Sequence, residues 1–373
     1  MSLAFWIILA VLVAAFLALA FFAHVFYPLG GEPAQRLKAV CADGWELAVW
    51  KRPARHKRFA EPIVLCHGLG NNHRVFDLHA PLSLSLALAE AGFDVYAVDL
   101  RGAGQSQRSP KGAAFHASID DHVQFDVLAA LELARSDSGG AKVLWVGHSL
   151  GGLVGLSAMT PDVQALVAGV VTIGSPVFFS GLQGRTKAAL ALGRFAAWPR
   201  RVHLNVLARL ALPLAGITPA YFTEGMLNAA NVDGSIRRRS LASMIAPIWR
   251  GVLLQMSDWV TNDVLRSRDG KTDYRERIAK LTVPLLTVGG AVDRLAPLDA
   301  VKKAHELAGS PDKTLLVEWP DGVQYGHGDL LLGRQAPTHV YVRLIDWLGR
   351  HSTALAESPA PGADPARLPA APL

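Results

Sequence analysis

The chain opens on an unbroken apolar run, with no charged residue from Leu3 to Ala23. As a helix this run would extend roughly 31 Å, close to the ~30 Å hydrocarbon core of a bilayer. No Lys or Arg precedes it, and it is longer than the apolar region of an ordinary signal peptide. Residues 1–30 are therefore expected to form a retained single-pass membrane anchor. The first basic residues beyond it, Arg36 and Lys38, place the rest of the chain on the cytoplasmic side by the positive-inside tendency.

Beyond the anchor the pattern changes. Arg36–Cys41 and Trp45–Lys51 flank an Asp43-Gly44 turn and predict a hairpin. Short apolar runs then alternate with helical periodicity. Strands are expected at Ile63–Cys66, Phe93–Val98, Val143–Val146, Val167–Ile173, Pro284–Val288 and Thr314–Trp319. Helices are expected at Ala80–Ala91, Ile119–Arg135, Leu150–Met159, Leu298–Leu307 and Pro337–Arg350. Continuous β-branched runs between amphipathic helices suit a mostly parallel sheet covered on both faces, so the fold class is α/β.

One interval breaks the alternation. A helical crossover between parallel strands needs a dozen or more residues, yet Val177 to Lys280 offers about a hundred. This segment, residues 177–280, is expected to be a helical cap or lid on a domain made of 31–176 and 281–351. The Ala- and Pro-rich tail, 352–373, is expected to be disordered.

Composition agrees with a large core: of 373 residues, 51% are hydrophobic and only 18% charged. Between Val177 and Leu265 ten basic residues stand against four acidic ones, enough to account for the net charge of +6. Within it, Arg201, Asn205 and Arg209 form a narrow polar stripe on an otherwise apolar helix, suited to an acyl-lined pocket, a membrane surface or ordinary packing. Nucleic acid is not an expected partner, because the basic residues alternate with apolar ones and no binding motif is present. Of the two cysteines, Cys66 ends an apolar strand and reads as a small buried hydrophobe. No metal-ligand spacing and no phosphate-binding glycine loop occur, so no metal or cofactor is expected.

The chemistry is concentrated in Gly147-His148-Ser149-Leu150-Gly151, directly after the strand Val143–Val146. A sharp strand-to-helix turn can hold a serine in a strained conformation only if small residues stand two positions away on either side. Such a serine needs a base, and the base a carboxylate to hold it. Asp293 follows the strand ending at Val288, and His327 follows the one ending at Trp319. Both lie where open α/β sheets place their sites. His305, His339 and His351 fall on expected helices and are poorer bases. Asp299, at a helix start, complements the helix dipole. Oxyanion donors are expected from the backbone N–H of Leu150 and of Leu69, in the loop Cys66-His67-Gly68-Leu69-Gly70. His67 is read as shaping that loop, and Asp99 as tying neighbouring loops together.

Cys66–Leu69, Ser85–Val95, Arg101-Gly102 and Gly147–Gly151 together resemble the α/β-hydrolase superfamily. They are similar to its acid lipase branch, the lysosomal and gastric lipases. Gly326–Gly333, with Ala336-Pro337 and Val340-Tyr341, resembles that branch's catalytic-histidine region. The resemblance runs from about Arg36 to Arg350, the cap excepted. It implies an α/β-hydrolase fold with Ser149 as nucleophile, His327 as base and Asp293 as acid. The polyhydroxyalkanoate synthases share a similar C-terminal pattern but use a cysteine nucleophile, which Ser149 argues against. The expected activity is hydrolysis of a lipid-like carboxylic ester through an acyl-enzyme. An acyltransferase or thioesterase with the same triad, or a membrane-bound binding protein on this scaffold, are the alternatives.

Overall fold

The computed structural model describes residues 2–26, 34–106, 117–182, 200–212 and 225–356, with isolated positions between 184 and 193. The tail from residue 357 on, and parts of the segment expected to form the cap, lie outside the described residues.

The expected hairpin forms from β1 (Gln35–Val40) and β2 (Glu46–Arg52), paired antiparallel. Six further strands join them: β3 (Ile63–Cys66), β4 (Val95–Val98), β5 (Val143–His148), β6 (Val167–Ile173), and, past an intervening segment, Leu285–Val288 and Lys313–Leu316. That segment holds β7 (Arg201–Val202) and β8 (Ile248–Trp249), a separate antiparallel pair. The two later sheet strands are thus β9 and β10. The eight-stranded order is β1-β2-β4-β3-β5-β6-β9-β10, parallel from β4 onward. The α/β expectation holds.

Alternation along the strands sends side chains to both faces, and both are covered. Val143 and Trp145 of β5 join one apolar cluster with residues of the helices Val127–Ser138 and Leu150–Ser157. Leu144 and Val146 join the other, with residues of Leu84–Ala91 and Val342–Arg350. A strand buried on both sides reads as continuously apolar, which is why β3, β5 and β6 were visible as runs. The expected helices 119–135 and 337–350 each contain a π turn, at His122–Asp126 and Pro337–Tyr341. Cys41 and Cys66 are both free and buried.

The membrane anchor requires correction. The apolar run does form a helix, Leu3–Phe26, which lies against the helix Leu204–Ala211. Among the described residues, however, no helix is long and apolar enough to cross a membrane. The single-pass membrane placement, and the cytoplasmic orientation inferred from it, fall with that span.

The first residues of the expected tail are held in place. Phe59 bridges Ala354, Leu355 N–H donates to the Arg58 carbonyl, and Thr353 bonds Glu61.

Candidate active site

Six parallel strands end at one edge of the sheet, and their following loops converge there. β5 turns directly into the helix Leu150–Ser157 at Ser149, whose φ of 55° and ψ of −121° are strained for a residue with a Cβ. Such a conformation costs on the order of 1–3 kcal/mol. The surroundings enforce it. A Cβ on Gly147 would strike the backbone of Gly151 and Gly152, and one on Gly151 would strike the carbonyls of Cys66 and His67. Ser149 N–H donates to the Ile173 carbonyl at 2.8 Å, and the Ser175 hydroxyl donates to the Ser149 carbonyl at 2.9 Å.

The loop after β3 lies against the serine. A Cβ on Gly68 would sit 2.9 Å from Ser149 Cβ, which brings Leu69 and Leu150 to the same place. His67 builds this loop, as its position suggested. Its Nε2 accepts from Leu100 N–H at 3.1 Å, and its Nδ1 donates to the Gly68 carbonyl at 2.8 Å. Burial pulls its pKa down to about 4 against the opposing charge of Asp99, so the neutral tautomer persists. Asp99 ties loops together: its carboxylate accepts from His73 N–H and Nδ1, Trp50 Nε1 and Gln105 N–H.

Asp293 follows β9 and His327 follows β10, and the structure brings them together. His327 Nδ1 donates to Asp293 Oδ2 at 2.8 Å. Asp293 Oδ1 accepts from the N–H groups of Leu295 and Ala296, each at 2.8 Å. With the Asp293 side chain fully buried, these bonds fix both its oxygens. The β6 loop flanks the pair: a Cβ on Gly174, whose φ is +59°, would lie 3.1 Å from His327 Nδ1. Elsewhere, His305 faces Thr287, His351 pairs with Asp312, and His339 meets Tyr325.

His148 was not singled out from the sequence. Its Nε2 donates to the His327 carbonyl at 3.3 Å, and the two rings lie 4.7 Å apart. Burial, and then the neighbouring His327, pull its pKa down to about 3. An unfolded chain would protonate His67 and His148 near pH 6.5, while the fold resists it. Below pH 6.5 the unfolded state therefore binds more protons, and stability falls as pH drops toward 4 and then 3. The loss is on the order of a few kcal/mol for each histidine. Asp99 and Asp126, held below the ordinary carboxylate range despite burial, extend the loss at lower pH. Urea midpoints should therefore be clearly lower at pH 4.5 than at pH 7.5. Equal midpoints would contradict the neutral buried histidines.

A cavity of about 30 Å³ adjoins this edge, lined by His67, Gly68, Leu69, Leu150, Ile248 and Trp249 among others. It has room for about one water molecule. A larger cavity, about 700 Å³, lies beside Lys142, Gln164, Lys280 and Pro284 at the opposite ends of the strands, remote from Ser149. Among the described residues no group of His, Cys, Asp or Glu could hold a metal ion.

The family model described as alpha/beta hydrolase fold matches residues 61–323. The gastric triacylglycerol lipase of Rattus norvegicus is 25% identical over 358 residues, covering 85% of this chain and 89% of that protein. Lipase member M of Homo sapiens is 25% identical over 370 residues, covering 88% and 85%. Among solved structures, an esterase from Thermogutta terrifontis superposes with a TM-score of 0.57 at 18% identity, covering 86% of this chain and all of that one. At that identity the superposition speaks for the fold alone. With the family match spanning most of its length and the parallel sheet in place, this chain belongs to the alpha/beta hydrolase fold family, with relatives similar to the acid lipases.

Proposed function

We propose that the protein is a serine hydrolase that cleaves carboxylic esters by means of Ser149, His327 and Asp293. The observation that carries this reading is a strained Ser149 on the same sheet edge as a buried His327–Asp293 pair. Bonded to Asp293 through Nδ1–H, His327 presents Nε2 as a bare acceptor. It takes the Ser149 proton as Oγ attacks the ester carbonyl, and Asp293 stabilises the imidazolium so formed. The N–H groups of Leu69 and Leu150 receive the oxyanion. His327 then protonates the departing alcohol, leaving an acyl group on Ser149. Water releases that acyl group with His327 again as base.

The segment 177–280 acts as a cap in this reading. Its Ile248 and Trp249 close over a space of about 30 Å³ beside the oxyanion loop, too small for an alkyl chain. In this reading a lipid-like ester enters as the cap shifts. The lipase names of the relatives support an acyl ester of this class.

Hydrolysis of p-nitrophenyl esters from acetate to palmitate, with product analysis, tests the reading. Free fatty acid as the main product, and faster turnover of the longer chains, is the expected result. Acyl products forming only when an alcohol or thiol acceptor is added would favour a transferase instead.

A further inference from the structure

Two residues past His327 stands Asp329, a fully buried carboxylate for which the proposed mechanism has no use. Its Oδ1 accepts from Asn228 N–H at 2.9 Å. Its Oδ2 accepts from Asn231 Nδ2 at 2.7 Å and from Gly326 N–H at 2.9 Å. One carboxylate thus grips both the residue before His327 and the segment near Asn228. The same two stretches are joined again on either side of the histidine. The Gln324 carbonyl accepts from Asn228 Nδ2 and Asn231 Nδ2, each at 2.8 Å. Gly328 N–H donates to the Met226 carbonyl at 2.8 Å. The fit leaves no slack, since a Cβ on Gly326 would lie 2.9 Å from Asn228 N. Burial pushes the Asp329 carboxyl up, and the bonds from Asn231, Asn228 and Gly326 oppose it. A buried carboxylate retained at that cost, with every bond reaching one of two chain segments, acts as a clasp.

We propose that Asp329 is a positioning residue that couples the seating of the 226–231 stretch of the cap to the placement of His327. Through it, the cap's position is read by the backbone that carries the base. The proposal rests on the reading of His327 as base and of 177–280 as cap. Misplacing a base by about 1 Å can cost ~100-fold in rate without altering substrate affinity. The effect therefore belongs in kcat.

The test measures kcat and KM on a soluble short-chain ester for the wild type, Asp329→Asn, Asn231→Ala and the double variant. Each kcat is normalised to sites titrated with a fluorophosphonate. In Asp329→Asn the NH₂ group must face a donor in either orientation, Asn228 N–H at one oxygen's place or Asn231 Nδ2 and Gly326 N–H at the other's, so kcat per titrated site is expected to fall about tenfold or more, with KM within about twofold. Asn231→Ala, which alters only the cap side, is expected to lower kcat several-fold. The double variant should be no worse than Asp329→Asn alone, because both changes break one coupling. Effects that multiply in the double variant, or a kcat per titrated site within twofold of wild type in Asn231→Ala, would overturn the clasp. If Asp329→Asn does not fold, Asn231→Ala alone decides between these outcomes. A role confined to stability would lower Tm and the number of titrated sites but leave kcat per site unchanged, which also overturns it. Should Ser149→Ala retain wild-type activity, the triad reading would fail and the clasp with it, a failure that needs no Asp329 variant to recognise.

Discussion

Ser149→Ala should lower kcat for ester hydrolysis by roughly five to six orders of magnitude while changing KM little. The size follows from the way such residues act as a unit. Without the hydroxyl no acyl-enzyme forms, and His327 and the oxyanion donors are left to assist direct attack by water. Oxyanion binding and substrate positioning alone are worth ~10³–10⁴ over the uncatalysed rate. The fold should be unaffected, because the bonds that shape the turn come from the Ser149 backbone: its N–H to Ile173 and its carbonyl from Ser175. Steady-state kinetics on purified protein, with a Tm on the same sample, check both halves. A loss below about a hundredfold would mean that another group is the nucleophile.

Asp293→Asn is expected to cost about 10⁴ in kcat, through the tautomer of His327 rather than its position. Asp293 Oδ1 is claimed by the N–H groups of Leu295 and Ala296. An asparagine must keep its carbonyl oxygen there, so its NH₂ group faces His327 Nδ1. Two donors cannot share that contact. The imidazole responds by moving its proton to Nε2, the atom that has to accept the serine proton. Geometry is kept and the base is disabled. The measurement is kcat across pH 6–9, with KM expected to stay within a fewfold. A loss of less than tenfold would show that Asp293 does not set the tautomer.

Much of the fold could be read in the chain because the sheet is buried on both faces. Where every side chain of a strand meets a helix layer, as in Ile63–Cys66 and Val143–Val146, the run is continuously apolar and its limits are plain. The exposed edge was less clear: Lys313–Leu316 lies in the expected stretch but stops three residues short of Trp319. The serine turn was legible for a steric reason, since glycines two residues away on either side are what its close packing demands. Asp293 stood out only through its place after a strand, and His327 through its place and the resemblance carried by Gly326–Gly333. His148 and Asp329 did not, because their partners are remote in the chain. His148 meets the carbonyl of a residue 179 positions away, and Asp329 binds Asn228 across 101. No local period encodes such contacts. Hydropathy misled at the N-terminus, where an apolar run was equated with a membrane span. Composition misled after Ser352, where Ala354 and Leu355 pair with the backbone near Arg58.

The most direct test of Ser149 as the nucleophile is covalent labelling with a fluorophosphonate, read by intact mass and peptide mapping. Attack by Ser149 Oγ on phosphorus expels fluoride, and His327 takes the hydroxyl proton. The wild type should acquire one adduct, mapped to the peptide that contains Gly147–Gly151, and Ser149→Ala should acquire none. An adduct on a different residue, or no adduct on folded wild-type protein, would contradict the serine hydrolase reading.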